Sequence, residues 1–276
     1  MRVVTLNIWN KQGPWEERCA LIRRGVETID PDVIGLQEVL RLSIDGEARD
    51  QAEEIVAGLP YPHIAYGIAQ NLGGGLTFGN AVVSRHPIVE SHTFALPAPS
   101  GTPESRCLLY ALVAAPWGRV PVFVTHLNWK FHESSTRVRQ VQAIADHIMR
   151  IAPVDDVQFP PILMGDMNAE PDSDEMRYLR GLATIDGRSV FFADAWTWGG
   201  DGGPGYTYDR RNPYAAVVGE PPRRIDYIFV RGPDRVLRGS PLRTRVVFDV
   251  PEGDVWPSDH FGVLTELRVE PQPPQL

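Results

Sequence analysis

Short apolar runs recur along the whole chain, and their spacing predicts β-strands. Many of these runs are continuously apolar rather than alternating, which is typical of strands covered on both faces or lying between two packed sheets. The predicted strands span residues 3–8, 33–39, 80–89, 108–114, 120–126, 162–165, 225–230, 245–250 and 262–269.

Longer segments between some of these runs show the helical spacing of apolar residues instead. We predict helices over 15–29 and 135–151, because each has one apolar face. Those faces carry Cys19, Ile22, Val26 and Ile29 in the first helix and Val138, Val141, Ile144, Ile148 and Ile151 in the second. A shorter helix is predicted to begin at Asp172, whose spacing to Glu175 resembles a capping box, with Leu182 on its inward side.

The remaining segments predict long loops within one α/β domain. Residues 90–106, 199–223 and 251–258 are rich in Gly, Pro and polar residues, and loops of this length are usually functional or mobile. No internal repeat or linker divides the chain. We therefore predict a single domain over 1–270 with mixed sheets, followed by a short disordered tail over 271–276.

Composition restricts the function classes. A hydrophobic fraction of 43% and a charged fraction of 22% are ordinary for a soluble globular protein. The net charge of −8 argues against a protein that binds nucleic acid through a basic surface. Arginines at 223–224 and 231–245 could still form a small positively charged surface, although a solvated charged face is the favoured interpretation. The two cysteines form no zinc cluster or disulfide framework.

The N-terminal sequence bears on location. It enters a predicted strand directly, without the basic, apolar and small-residue pattern of a signal peptide. No apolar run reaches the roughly 18 residues that a membrane span needs. These features predict a cytoplasmic protein, although the same start would remain after removal of a leader. They leave contact with a membrane surface and the oligomeric state open.

Polar residues repeatedly stand at the edges of the predicted strands. Burying such groups beside apolar runs is costly unless they are paired or coordinate a metal. One residue of this kind usually makes a turn or a core hydrogen bond, but six such positions are difficult to attribute to turns. They hold Asn7, Glu38, His126, the pair Asp166 and Asn168, Asp226, and the pair Asp259 and His260.

The residue types in this set favour a hard cation and a phosphoester substrate. Carboxylates such as Glu38, Asp166 and Asp259 suit Mg²⁺ or Mn²⁺, with Ca²⁺ as an alternative. A zinc site is disfavoured because cysteine ligands and closely spaced histidines are missing from the set. The two histidines can donate to phosphate oxygens, and a carboxylate can take the proton of a nearby water.

The segments "TLNIWN", "GLQEV", "VTHL", "GDMNAEP", "RIDYIFV" and "SDHFGV" resemble the motifs of the endonuclease/exonuclease/phosphatase superfamily. They occur in the family's order and cover nearly the whole chain. The resemblance implies a DNase I-like fold, a four-layer α/β/β/α sandwich in which two mixed sheets pack face to face with helices outside. It also implies a metal-dependent phosphoric ester hydrolase with its site at one rim.

The resemblance assigns the metal and the water to one group of residues. Glu38 would be the principal metal ligand, with Asn7 beside it or bound through water. Asp259 would help to hold the metal or would polarise His260. Asp166 would orient or deprotonate the attacking water, or hold a second metal.

The remaining matched residues would act on the phosphate. Asn168 would contact the scissile group, and its position two residues after Asp166 would direct both side chains to one side of a strand. His126 would bind phosphate or assist the leaving group. Asp226 would position a catalytic group from behind, and His260 would stabilise the charge that develops on the phosphate.

Residues outside the motifs are candidates for substrate contact. We predict that Arg106, Asn128 and Trp129 bind substrate. Aromatic residues near a phosphate site can stack on a base, enclose a choline-like cation or touch a lipid surface, and they can equally be packing residues. A further aromatic cluster comprises Trp196, Trp198, Tyr206 and Tyr208.

One departure from the family pattern bears on the branch. The DNA-repair branch carries an acidic residue where this chain has Trp9, so the chain resembles the sphingomyelinase-type and small-phosphoester branches more closely. The leading hypothesis is hydrolysis of a small or lipid-like phosphodiester or phosphomonoester. A nuclease, a non-catalytic binding module on the same fold and a glycosidase using Glu38 and Asp166 are the alternatives.

Overall fold

The computed structural model describes residues 1–99, 101–102, 104–154 and 158–272, which form two stacked β-sheets with helices outside. The strands of the described residues are β1 (Arg2–Asn7), β2 (Val33–Ile44), β3 (Glu47–Asp50), β4 (His63–Gly73), β5 (Leu76–Ser84), β6 (Ile88–Ala95), β7 (Cys107–Ala115), β8 (Gly118–His126), β9 (Ile162–Asp166), β10 (Ala193–Asp194), β11 (Asp226–Val230), β12 (Pro241–Val247) and β13 (Gly262–Leu267). The helices are α1 (Trp15–Ile29), α2 (Gln51–Val56), α3 (Ser134–Ile151), α4 (Asp174–Leu179), α5 (Ala195–Gly199) and α6 (Pro213–Ala216).

Both sheets are mixed. The first has the order β12-β13-β1-β2-β5-β4, with β3 added to the end of β2, and β1 and β2 are parallel. The second has the order β10-β11-β9-β8-β7-β6, and β8 and β9 are parallel. In each sheet the other neighbouring strands are antiparallel.

The inner faces of the sheets share one apolar cluster. Val3 and Val82 of the first sheet pack there with Val122 and Met164 of the second. Gly35 of β2 permits this close approach, because a Cβ at that position would lie 2.8 Å from the sulfur of Met164.

Helices cover the two outer faces. Side chains of α1 and α2 pack on the first sheet, and those of α3 and α4 pack on the second. The predicted four-layer α/β/β/α sandwich is therefore confirmed. The predicted apolar face of α1 is wholly buried, and Val141, Ile144 and Ile148 bury the face of α3.

Edge strands account for most of the differences from the predicted elements. The run predicted as one strand over 80–89 is two strands, β5 and β6, and β6 occupies the start of the predicted loop 90–106. The side chains of β6 are mostly exposed, so the strand lacks the apolar pattern that marks a covered one. β4 is also an edge strand, and its polar and glycine residues at the end give no apolar pattern. Neither β4 nor β3 was predicted. β12 begins at Pro241 rather than at 245.

Capping chemistry differs from the predicted pattern as well. Helix α4 begins at Asp174 after Ser173, no side chain caps it, and Leu182 is exposed rather than inward. The capping box lies instead at α2, where Asp50 and Glu53 each accept from the backbone N–H of the other.

The C-terminal end follows β13 back along the surface. The Gln272 backbone N–H donates to the Val236 carbonyl at 2.8 Å. The last four residues of the tail predicted over 271–276 lie outside the described residues. Among the helices described, none combines the length and the apolar character that crossing a membrane requires.

Candidate active site

Strand ends from both sheets meet at one rim of the sandwich, where they line a cleft of about 460 Å³. The strand register explains why they meet. His126 at the end of β8 pairs with Asp166 at the end of β9, and Asp226 at the start of β11 pairs with Asp166 from the other side. Asn7 at the end of β1 crosses between the sheets, and its Nδ2 donates to Asp166 Oδ2 at 3.0 Å.

Glu38 lies on a bulge within β2, not at the strand end that the sequence indicated. The pairing of β2 with β5 shifts between Leu36 and Val39, and Glu38 has a φ of 60°. A bulge redirects a side chain, and a left-handed conformation is uncommon for residues other than glycine. The Glu38 carboxylate thereby reaches the cleft, where Oε1 accepts from Asn7 Nδ2 at 3.2 Å and Oε2 from Asn10 Nδ2 at 3.0 Å.

The side-chain amide of Asn7 bridges two carboxylates. Its Nδ2 donates to both Glu38 and Asp166, while its Oδ1 accepts from the Trp9 backbone N–H at 3.0 Å. An amide oxygen has two lone pairs, and this hydrogen bond uses one of them. In this arrangement Asn7 orients Glu38 and Asp166, and its role as an oxygen ligand stays a prediction.

Asp259 supplies a second carboxylate to the same cleft. The Ser258 hydroxyl donates to the Asn7 carbonyl at 2.7 Å, which ties this loop to β1, and it lies 3.2 Å from Asp259 Oδ1. Burial raises the pKa of Asp259 to about 6; the charge of Glu38 adds to the rise and that of His260 opposes it. The cleft therefore holds carboxylate charge that a cation would stabilise.

Glu38 and Asp259 fit a hard divalent cation, because they offer charged oxygen atoms in one partly enclosed site. A second group, Asp166, Asp226 and His260, also has potential ligand atoms within 4.8 Å of one another. In that group His260 Nδ1 already binds Asp226, and an imidazole must be neutral to ligate a metal. We therefore favour Glu38 and Asp259 as the metal-holding residues.

His260 is held as a cation by buried carboxylates. Burial alone lowers its pKa, but Asp226, Asp166 and Asp259 together outweigh burial and raise the pKa well above its usual value. The carboxylate bonded to its ring is that of Asp226, with Nδ1 and Oδ2 2.9 Å apart. Asp259 therefore acts on the ring through its charge, whereas the carboxylate that holds the ring by a hydrogen bond is Asp226.

His126 is neutral, because burial and the nearby positive charges all lower its pKa. Burial lowers its pKa well below the usual value, and the positive charges of Arg106 and His260 lower it further. Arg106 Nη1 lies 3.1 Å from His126 Nδ1, and a guanidinium can only donate. Nδ1 must then accept, so the ring proton is on Nε2, which faces Asp166 Oδ2 at 3.4 Å.

Asp166 and Asn168 are brought together by a turn. Strand β9 ends at Asp166, and Asn168 has a φ of 50°, so strict strand alternation does not place them side by side. Instead the Asn168 backbone N–H donates to Asp166 Oδ1 at 2.9 Å, as in an Asx turn. The Asn168 Nδ2 donates to the Leu127 carbonyl at 3.1 Å, and both side chains line the cleft. Burial raises the pKa of Asp166 to about 7, with His260 opposing and Asp226 reinforcing the rise.

The three predicted substrate contacts differ in position. Trp129 lines the cleft with half of its surface exposed, and its indole N–H donates to Glu104. Arg106 also lines the cleft, but its guanidinium binds His126 and Glu104. Asn128 is buried outside the cleft lining, where its Oδ1 accepts from the Lys130 backbone N–H, so its predicted contact with substrate is not supported.

Several cleft residues were missed or misjudged from the sequence. Asn10 orients Glu38, although it stands inside the quoted motif "TLNIWN". Tyr208 packs its ring edge-on to His260 at 5.0 Å between centroids. Arg223 and Arg224 are buried, so the favoured interpretation of a solvated face is wrong for this pair. The predicted aromatic cluster is also divided, because only Tyr208 lines this cleft while Trp196 and Tyr206 line a separate cavity of about 620 Å³.

Comparison with known proteins bears on the family and the fold. The sequence pattern of the Endonuclease/Exonuclease/phosphatase family matches residues 4–260. No curated protein matches the chain. A solved endonuclease/exonuclease/phosphatase from Beutenbergia cavernae is 27% identical with a TM-score of 0.71, over 97% of this chain and 71% of that one.

More distant solved structures share the fold. A family protein from Leptotrichia buccalis is 19% identical with a TM-score of 0.72, over 97% of this chain and 99% of that one. A TDP2 from Caenorhabditis elegans is 17% identical with a TM-score of 0.69, over 97% and 74% respectively. The match over residues 4–260 decides the assignment: the chain belongs to the endonuclease/exonuclease/phosphatase family.

Proposed function

We propose that the protein is a divalent-metal-dependent phosphoesterase that cleaves a P–O bond with an activated water. Members of its family are generally metal-dependent hydrolases of phosphoester bonds. The observation that carries the proposal is the convergence of two histidine Nε2 atoms on one carboxylate oxygen, 3.4 Å and 3.8 Å from Asp166 Oδ2. Two such donors beside a buried carboxylate suit a phosphoryl group attacked by water.

Glu38 and Asp259 would hold the cation, Mg²⁺ or Mn²⁺ by the hardness of their oxygen atoms. When bound, a divalent cation polarises the phosphoryl oxygens and neutralises charge that develops on them. Asn7 and Asn10 keep the Glu38 carboxylate oriented toward the cleft.

The other cleft residues would act on water and phosphate. A carboxylate with a pKa of about 7, as for Asp166, is suited to accept a proton from water near neutral pH. His260, a cation fixed by Asp226, would stabilise negative charge on the phosphate. His126 would donate a neutral hydrogen bond from Nε2, and Asn168 would hold the phosphate next to Asp166.

The cleft mouth favours a small or lipid-like substrate. Leu72, Trp129 and Val218 line it with about half of each side chain exposed. Apolar surface beside a polar floor suits a phosphate ester that carries an apolar group, and it also suits contact with a membrane surface. A nuclease is less favoured, because Arg106 and Arg223, the arginines that line the cleft, are each paired with a glutamate.

A substrate panel tests the proposal. Bis(p-nitrophenyl) phosphate, p-nitrophenyl phosphate, sphingomyelin, DNA and RNA would be assayed with Mg²⁺, Mn²⁺, Ca²⁺ or a chelator. We expect metal-dependent hydrolysis of an aryl or lipid ester that Glu38→Gln abolishes. Hydrolysis that persists in chelator would refute the metal dependence, and turnover confined to DNA or RNA would favour the nuclease.

A further inference from the structure

Arg223 lines the same cleft, and the proposed function leaves it without a role. Its backbone is fixed three residues before Asp226. The Arg223 N–H donates to the Tyr208 carbonyl at 2.8 Å, and the Arg223 carbonyl accepts from the Tyr208 N–H at 3.0 Å. This paired backbone fixes the point from which the side chain enters the cleft.

The Arg223 guanidinium is held between two aromatic rings. Its Cζ lies 4.6 Å from the Phe131 ring centroid and 5.6 Å from that of Tyr208. Glu220 accepts from Nη2, and only 5% of the residue is exposed. The side chain therefore has a defined position and a charge that is largely removed from water.

The hydrogen bonding of this guanidinium is incomplete. Its Nε is buried and has no acceptor within the described part of the chain. A guanidinium carries five N–H donors, and leaving a buried donor unpaired is unfavourable. Nε itself is closed to solvent, so an acceptor on a ligand in the cleft would meet the Nη donors that the bond to Glu220 leaves free.

The position of Arg223 identifies which part of a ligand it would meet. Tyr208 lies between Arg223 and His260, with its ring in edge contact with the imidazole. The scissile phosphate would be next to His260 and Asp166, so Arg223 stands one aromatic ring farther along the cleft. A group on the substrate that flanks the scissile phosphate would reach it.

We propose that Arg223 selects substrates by binding an anionic group, a carboxylate or a second phosphate, next to the scissile phosphate, and that Glu220 weakens this binding by competing for the guanidinium. The inference rests on the proposed function for the location of the scissile group. Its chemistry is the charge-assisted hydrogen bonding of a planar guanidinium with an oxyanion.

A binding experiment tests the inference independently of turnover. Phenylphosphonate and 4-carboxyphenylphosphonate differ by one carboxylate, and their affinities would be measured by calorimetry in the presence of Mg²⁺. We expect the wild type to prefer the carboxylated ligand and Arg223→Gln to lose about 10-fold or more of that preference. Glu220→Gln should increase the preference, which a purely structural ion pair would not do.

The exposed pair Glu47 and Arg49, outside the cleft lining, provides matched controls. Glu47→Gln and Arg49→Gln should leave the preference unchanged. Equal affinity of the wild type for both ligands, absence of binding, or parallel losses in Arg223→Gln and Glu220→Gln would overturn the inference. A retained preference without hydrolysis of any ester would refute the proposed function and leave the role of Arg223 standing.

Discussion

Two histidines in opposite charge states face one carboxylate oxygen of Asp166. His260 is a cation because buried carboxylates surround it, and His126 is neutral because burial and Arg106 disfavour a second charge. Between them they offer hydrogen bonds of different strength from fixed rings. Such fixed donors lower a barrier most when they act on charge that develops during the reaction.

This arrangement predicts the kinetic effect of removing His260. His260→Ala should lower kcat by about 100-fold to 1000-fold with little change in KM, because the lost donor acts mainly on transition-state charge. Steady-state kinetics on the best ester of the panel would measure it. A rise in KM with unchanged kcat would make His260 a binding residue instead.

Arg106 should act through His126 rather than on the substrate directly. In Arg106→Leu, Nδ1 loses its donor and the nearby positive charge, so we expect a higher pKa for His126 and a mixture of its two neutral tautomers. Nitrogen NMR of the ring across a pH titration would detect both changes. An unaltered His126 with a large rise in KM would show that Arg106 binds substrate directly.

At this scale the sequence identified which residue types converge, but not how they pair. The motif order indicated that Asp166, Asp226 and His260 meet. The choice of Asp226 over Asp259 as the partner of His260 depends on the antiparallel register of β9 and β11. The bulge at Glu38 had no sequence signal, because its left-handed conformation is imposed by the sheet around it.

At the scale of elements, helix α1 ties the loops that carry the site to the first sheet. Arg18 is fully buried, and its guanidinium donates to the carbonyls of Ile8, Asn10 and Pro257 at 2.9 Å each. One side chain thus joins the loop that carries Asn10 to the loop that carries Asp259.

Removing this side chain should cost stability and disturb the site. Arg18→Met leaves several buried carbonyls without a donor, at about 1–3 kcal/mol each, so we expect a loss of about 3 kcal/mol or more in the free energy of unfolding. Urea denaturation would measure it. Arg24→Met removes an exposed arginine of the same helix, paired with Glu252, and should cost less than about 1 kcal/mol. Similar losses in both variants would contradict a special role for Arg18.

Most strands that are buried on both faces were predicted from the sequence, and most of the exposed edge strands were not. The continuous apolar runs of β1, β7, β8 and β9 are buried and were predicted. β6 is an edge strand with exposed side chains, and most of it was predicted as a loop. It is a strand because it pairs with β7, and its own sequence has no strand pattern.

At the scale of the whole molecule, metal binding should be coupled to folding. The clustered charge of Glu38 and Asp259 opposes folding without a cation, and a ligand that binds only the folded state adds about 2.7 kcal/mol at a hundredfold excess over its Kd. Mg²⁺ should therefore raise Tm, and chelator should reverse the change. The Tm shift should vanish in both Glu38→Gln and Asp259→Asn; a shift retained in both would place the ion elsewhere.

The hydrogen bond from Ser258 to the Asn7 carbonyl joins positions 251 residues apart in the chain. The site can assemble only after these two parts of the chain have met, because β1 carries Asn7 and the segment before β13 carries Asp259 and His260. Contacts of such separation carry a high cost of loop closure and are slow to form. During synthesis, a chain whose residues 259–260 are still inside the ribosome cannot assemble the site, so the proposed hydrolase would stay inert beside the phosphodiesters of ribosomal RNA until that segment has emerged.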